Sequence, residues 1–229
     1  MIVTIESPEN LAKIIDHTNL KPDATLNDIE KLCNEAKKYG FAFVCVNPSN
    51  VRFAVELLKD ESTKVCTVVG FPLGANTSKI KFFEAKDAVE SGASEIDMVM
   101  NIGALKSGLD DNVKEDINSV VEAASENAVK VIIETALLDD EEIIRACEII
   151  KDSGANFVKT STGMHPGAKI EDINLIKETV GSSLNIKASG GINKLKTALD
   201  MRKAGASRIG TSSGVKIMEE ALKISTSNI

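Results

Sequence analysis

Four times along this chain a helical stretch ends in a glycine and runs at once into a short apolar segment. The four junctions are "YGFAFV", "SGASEI", "SGANFV" and "AGASRI", with the glycines at Gly40, Gly92, Gly154 and Gly205. Glycine at such a place takes the left-handed conformation that stops a helix. The unit is therefore helix, stop, strand. In all, apolar, β-rich runs occupy 41–46, 64–70, 95–100, 129–135, 156–161, 185–189 and 208–212, and "AKIIDHTNLKP" (12–22) supplies a short eighth at the start. Their hydrophobicity is nearly continuous, as in strands covered on both faces.

Helical spacing fills the gaps. Val113, Ile117, Val120, Val121 and Ala124 form one apolar stripe, and Ile143, Cys147 and Ile150 form another behind the acidic turn "DDEE" (139–142), which suits a helix N-terminus. Strands linked by helices at intervals of roughly 22–34 residues are parallel βα units. Eight of them make a (β/α)8 TIM barrel; a doubly wound open sheet is the alternative that the repeat leaves open. No linker, charge block or low-complexity segment divides the chain. The expectation is one domain over 1–229, with a short helix ahead of the first strand. Apolar residues make up 43% of the 229, aromatic ones only 3%, without tryptophan, so the core must be aliphatic.

The formal charge of −7 argues against nucleic acid or an anionic membrane as the main partner. Cys33, Cys45, Cys66 and Cys147 are widely spaced, which fits buried thiols in a reducing cytoplasm. The leading "MIVTIESPEN" carries acids and no long apolar run, so it does not read as a signal peptide. No run is long enough to span a membrane.

Against this background two strand-like segments contain a lysine: "FVKTSTG" (157–163) and "IKASGG" (186–191). An unpaired buried ammonium is costly and tends to neutralise. Side chains alternate along a strand, so Val158 faces away from Lys159, and Ile186 and Ala188 away from Lys187. If the aliphatics pack on helices, both amines enter the barrel from adjacent strands at similar depth. Two such amines repel, at least one should lose its proton near neutral pH, and a neutral lysine forms Schiff bases with carbonyls. The bland alternative is a structural ion pair with Asp97 or Glu134.

Glycines carry the second signal. "SGGIN" (189–193) and "GTSSGV" (210–215) follow the last two strands and precede helices. Backbone N–H groups of Gly190, Gly191, Gly210, Ser212 and Ser213 suit a phosphate there; ordinary βα turns are the alternative. With only His17 and His165, a histidine-rich metal site is not expected. His17 reads as a hydrogen-bonded core residue, Cys45 as a small buried hydrophobe, "DDNVKED" (110–116) as a solvated helix face, and "NIGALKSG" (101–108) as a loop with Lys106 exposed.

Together "IDHTNLKPDAT", "CVNP", "VVGFPLG", "EIDMVMNIGALKSG", "VIIET", "FVKTSTG", "IKASGGI" and "RIGTSSG" resemble the deoxyribose-phosphate aldolase family over Ile14 to Ser213, nearly the whole chain. The resemblance implies a cofactor-free, metal-free class I aldolase on a (β/α)8 barrel. It implies reversible cleavage of 2-deoxy-D-ribose 5-phosphate to D-glyceraldehyde 3-phosphate and acetaldehyde, in a cytoplasmic homodimer or homotetramer. By that pattern Lys159 is the Schiff-base nucleophile, Lys187 its neighbour in the proton relay and Asp97 a further relay member. Asp16 and Thr162 would meet the sugar, and Gly163, Gly190, Gly191, Gly210, Ser212 and Ser213 the phosphate. A related Schiff-base aldolase for another sugar phosphate is the rival enzyme, and a phosphate-ligand sensor the rival outside catalysis. Two departures stand out. Met164 sits where relatives carry a polar or basic residue, leaving His165 or Lys169 to replace it. The C-terminal "LKISTSNI" lacks the tyrosine that some relatives use, and Tyr39 is the only tyrosine.

Overall fold

Alternation between two-sided burial and helical stripes resolves into a closed barrel in the computed structural model, which describes residues 7–227. A short helix, α1 (Pro8–Ala12), precedes β1 (Ile15–Asn19). The other strands are β2 (Phe43–Val46), β3 (Lys64–Val69), β4 (Glu95–Val99), β5 (Ala128–Ile132), β6 (Phe157–Lys159), β7 (Asn185–Ser189) and β8 (Arg208–Thr211). Each pairs in parallel with the next and β8 closes on β1, so the open doubly wound sheet is ruled out. The outer helices are α2 (Leu26–Tyr39), α3 (Val51–Leu58), α4 (Ser78–Glu90), α5 (Ile102–Lys106), α6 (Asp110–Ala124), α7 (Asp140–Lys151), α8 (Ile170–Val180), α9 (Leu195–Ala204) and α10 (Gly214–Ser227). The first six residues, part of the segment read as lacking a signal peptide, lie outside the described residues, as do the last two of "LKISTSNI".

All four stop glycines adopt positive φ, from 70° at Gly40 to 125° at Gly205. Asp139 caps α7 through a capping box with Glu142, as the acidic turn suggests. Between strands and helices lies one continuous aliphatic layer, where Val44, Ile96, Met98, Val131, Val158, Ile186 and Ile209 meet helix residues such as Ile29, Ile117, Val120 and Ile173. Strand alternation then sends the other set of side chains inward. A smaller apolar group, Cys45, Cys66 and Val68 with Phe43 and Phe71 against it, fills one side of the interior. The ionic groups lie directly against it, Lys130 and Arg208 over the Phe43 ring.

Two local readings need correction. "NIGALKSG" contains the helix α5, because the Asn101 side chain accepts from the Ala104 amide and starts a turn; Lys106 is exposed and paired with Glu142 at 2.7 Å. The run "DDNVKED" is not wholly solvated. Its Asp116 is buried and ion-paired with Lys81 of α4, also fully buried. Lys81 donates in addition to the Val99 carbonyl at 2.9 Å, and its stem lies so close to Gly70 that a Cβ there would sit 2.8 Å from Lys81 Cε. One turn on, Glu84 accepts from the Gly70 amide at 2.6 Å and from Asn76 at 3.3 Å. Helix α4 thus holds both ends of the 70–77 loop that brings Phe71 to the barrel interior.

Removing one member of a buried ion pair strands the other charge. Lys81→Met is expected to lower unfolding free energy by about 3–5 kcal/mol, and Lys81→Met with Asp116→Leu to recover most of that loss. Urea denaturation of both variants checks this; a double variant as unstable as the single would show that the charges themselves stabilise α4 on α6.

Candidate active site

Register decides which polar residues meet. Lys159 of β6 pairs in register with Lys187 of β7, and Asp97 of β4 with Lys130 of β5. The first pair confirms two amines at one level. They share one acceptor: Asp97 Oδ2 lies 2.7 Å from Lys159 Nζ and 2.7 Å from Lys187 Nζ. Lys187 also reaches Asp16 Oδ2 at 2.5 Å. Asp97 is 0% exposed, Lys187 1% and Lys159 3%.

Below this level the network continues through residues that the sequence reading passed over. Lys130 Nζ lies 2.9 Å from Asp97 Oδ1 and 2.5 Å from Glu95 Oε2. Arg208 Nη1 lies 2.8 Å from Asp16 Oδ1 and 3.0 Å from Glu95 Oε2. Both cations rest against the rings of Phe43 and Phe157, Arg208 4.7 Å from the first centroid and Lys130 5.8 Å from the second. The signal that singles out Lys159 was available for Lys130, Glu95 and Arg208 too, since each is a charged residue within or at the edge of an apolar run.

Burial opposes the charges on Asp97, Asp16 and Lys187, but their partners prevail. Desolvation works against the Asp97 carboxylate, yet Lys130, Lys159 and Lys187 hold its pKa well below the ordinary carboxylate range. Asp16 is lowered in the same way, burial being outweighed by Lys187, Lys130 and Arg208. Lys187, against its own desolvation, is raised well above the ordinary lysine range by Asp16 and Asp97. Of the two amines, Lys187 is therefore the one that keeps its proton, because two carboxylates meet it where the sequence shows only another amine.

A cleft of about 980 Å³ opens above the network, at the C-terminal ends of the strands. Lys159 forms part of its wall, whereas Asp97, Lys187 and Asp16 do not. Thr162 is in the wall as expected. Glu134 fixes it, accepting from the Thr162 hydroxyl and from its amide at 3.2 Å; neither strand lysine is paired with Glu134. Asp16, read as a sugar contact, has both oxygens taken by Lys187 and Arg208.

Gly163, Gly190, Gly191, Gly210, Ser212 and Ser213 all line the cleft. The first three have positive φ. The loops after β6 and β7 pack glycine on glycine, a Cβ on Gly167 falling 2.1 Å from the Gly190 carbonyl oxygen. Gly210 lies within β8, and a Cβ there would stand 3.0 Å from Lys187 Cε, so its bare backbone lets the Lys187 arm cross to Asp16. The Ser213 amide donates to Thr211 Oγ1 at 2.9 Å. Met164, which has no cation to offer, lines the cleft, while His165 and Lys169, weighed as its replacements, do not; the lysines in the wall besides Lys159 are Lys21, Lys31 and Lys216. Lys216 sits in the first turn of α10, and nothing in the phosphate-loop pattern pointed to it. His17 is buried and hydrogen-bonded to Glu35 at 2.7 Å, and Tyr39 stacks on Phe41 outside the cleft wall.

The DeoC/LacD aldolase family profile matches residues 10–220. The chain is 57% identical over 224 residues to the deoxyribose-phosphate aldolase of Caldanaerobacter subterraneus subsp. tengcongensis, covering 96% of this chain and 97% of that protein. To the deoxyribose-phosphate aldolase of Geobacillus sp. strain WCH70 it is 58% identical over 212 residues, covering 92% and 95%. Among solved structures, the deoxyribose phosphate aldolase of Aeropyrum pernix, described as tetrameric, superposes with a TM-score of 0.88 at 34% identity, over 95% of this chain and 93% of that one. With the profile spanning nearly the whole barrel and such identity to full-length relatives, the chain belongs to the DeoC/LacD family of aldolases.

Proposed function

We propose that this chain catalyses the reversible cleavage of 2-deoxy-D-ribose 5-phosphate to D-glyceraldehyde 3-phosphate and acetaldehyde through a Schiff base on Lys159. The observation that carries the reading is the division of labour between the two lysines. Only Lys159 reaches the cleft, while Lys187 stays behind it, charged, with Asp97 Oδ2 bridging the two amines. The names carried by relatives at 57–58% identity support the same substrate.

Chemistry follows from that placement. The free amine of Lys159 adds to the C1 aldehyde of the open-chain sugar and loses water to give an iminium. Electrons of the C2–C3 bond flow into the iminium as the C3 hydroxyl gives up its proton. Glyceraldehyde 3-phosphate leaves and an enamine remains. Protonation at C2 and hydrolysis release acetaldehyde and restore the amine. Asp97 is the group through which protons pass between Lys159 and Lys187. Asp16 fixes Lys187, and Thr162, oriented by Glu134, meets the sugar hydroxyls. The glycine-rich loops after β6, β7 and β8, with Ser212 before α10, hold the phosphate through backbone N–H groups, and Ser213 through its hydroxyl; no metal or cofactor enters this cycle. Four free, buried cysteines fit a reducing compartment, and we place the enzyme in the cytoplasm; among the described residues no helix is long and apolar enough to cross a membrane. The tetrameric relative supports assembly as a homodimer or homotetramer.

A coupled assay for glyceraldehyde 3-phosphate released from 2-deoxyribose 5-phosphate tests the reading. Turnover should persist in excess chelator and fall by about a thousandfold or more in Lys159→Ala. Lys187→Leu should lower the rate and move the acid limb of the pH profile to higher pH, because a positive charge that opposes a second one beside it is gone. Wild-type protein without turnover, or Lys159→Ala with undiminished rate, would contradict the proposal. An unmoved acid limb in Lys187→Leu would remove Lys187 from that role.

A further inference from the structure

The interior charges close on themselves. Starting at Glu95, the contacts run to Lys130, Asp97, Lys187, Asp16, Arg208 and back to Glu95, each step at 3.0 Å or less. Three carboxylates alternate with three cations, so the ring is neutral. Lys159 is not a member of it. It hangs from Asp97 Oδ2, which already belongs to Lys187.

We infer that this ring is a charge balance that leaves the Lys159 proton as the surplus charge, which makes Lys130, Glu95 and Arg208 positioning residues that set the pH at which Lys159 turns nucleophilic. The inference rests on the reading of Lys159 as the imine-forming residue and extends it to three residues that do not line the cleft.

Besides Lys159 of β6, each of the other seven strands carries a titratable group into the interior. Asp16 comes from β1, Cys45 from β2, Cys66 from β3, Glu95 and Asp97 from β4, Lys130 from β5, Lys187 from β7 and Arg208 from β8; Glu134, just after β5, faces Thr162. Cys66 lies 3.5 Å from Lys130 Nζ and 3.3 Å from Asp97 Oδ1, and burial raises its thiol well above the ordinary range. The Cys45 thiol is lowered instead, by its hydrogen bond with Cys66 against its own burial. Counted with both groups as thiols, a charged Lys159 gives the interior four cations against three anions. In a medium of low dielectric the odd charge is the expensive one. Lys130 and Arg208 are poor candidates to give up that proton. Burial opposes the charge on Lys130, but Asp97 raises it above the ordinary lysine range; Arg208 is raised in the same way by Asp16 and Glu95. The ring also sets direction. With Oδ1 of Asp97 held by Lys130, only Oδ2 faces the two upper amines.

The test is the pH dependence of kcat/KM for 2-deoxyribose 5-phosphate in four variants. Lys130→Met leaves three carboxylates with two ring cations, so Lys159 is retained as the third, and the acid limb should move up by about one pH unit or more. Glu95→Gln leaves two carboxylates with three cations, and the limb should move down. The double variant restores balance, two against two, and its limb should return to the wild-type position even if the rate is lower. Lys130→Arg keeps the charge and should keep the limb. If Lys130→Met fails to fold, as circular dichroism would show, Glu95→Gln and the double variant still decide the matter. Acid limbs that coincide in all folded variants, or that move the same way in Lys130→Met and Glu95→Gln, would overturn the ring as a charge balance and leave it a scaffold. Wild-type protein inactive at every pH would instead overturn the aldolase reading.

Discussion

The Asp97 carboxylate is the point on which the molecule turns. It has no contact with solvent, yet three ammonium groups converge on its two oxygens. A carboxylate in such a place is tolerable only with partners this close, and the partners are tolerable only with it. The geometry demands a barrel: Asp97, Lys130, Lys159 and Lys187 come from four consecutive strands, and only closure of the sheet lets Asp16 and Arg208 complete the circuit from β1 and β8. Aliphatic residues of the same strands face outward to the helices, so one alternating pattern builds both the stabilising shell and the charged interior.

Around that centre the fold sorts groups by depth. Aromatic rings and the Lys130–Glu95–Arg208 layer lie lowest. The two upper lysines and Asp97 come next, and Lys159 alone emerges into the cleft. The wall above is made of glycine backbone, where the loops after β6 and β7 touch too closely for any side chain. Such a surface offers N–H groups without steric cover, which suits a phosphate, while the carbonyl end of the same ligand falls within reach of the lysine. On the other side, α4 clasps the 70–77 loop through Lys81 and Glu84 and so keeps Phe71 over the apolar half of the interior.

The repeat of helix, glycine and strand made the barrel legible in the sequence, because glycine stops and two-sided burial are local properties. Alternation and strand order also placed Lys159 and Lys187 side by side, where register confirms them. What the sequence reading missed was the charge around them. Lys130 lies in "VKVIIET" and was passed over as part of an apolar run. Arg208 and Glu95 begin their strands and read as edge residues. The result was an expected repulsion between two amines, where the structure has carboxylates that hold Lys187 charged. Asp116 shows a different limit: its partner Lys81 lies thirty-five residues away on another helix, and no pattern within "DDNVKED" announces a contact that only the packing of α4 on α6 creates. The same holds for Lys216, which joins the cleft through the position of α10.

The claim most open to direct test is that Lys159, and not another of the buried lysines, makes the covalent bond. Wild-type protein incubated with acetaldehyde, reduced with borohydride, digested and mapped by mass spectrometry should carry an ethyl group on Lys159, and 2-deoxyribose 5-phosphate in place of acetaldehyde should label the same lysine. No adduct, an adduct on Lys187, or scattered labelling of surface lysines would contradict the account and return the interior amines to the role of structural ion pairs.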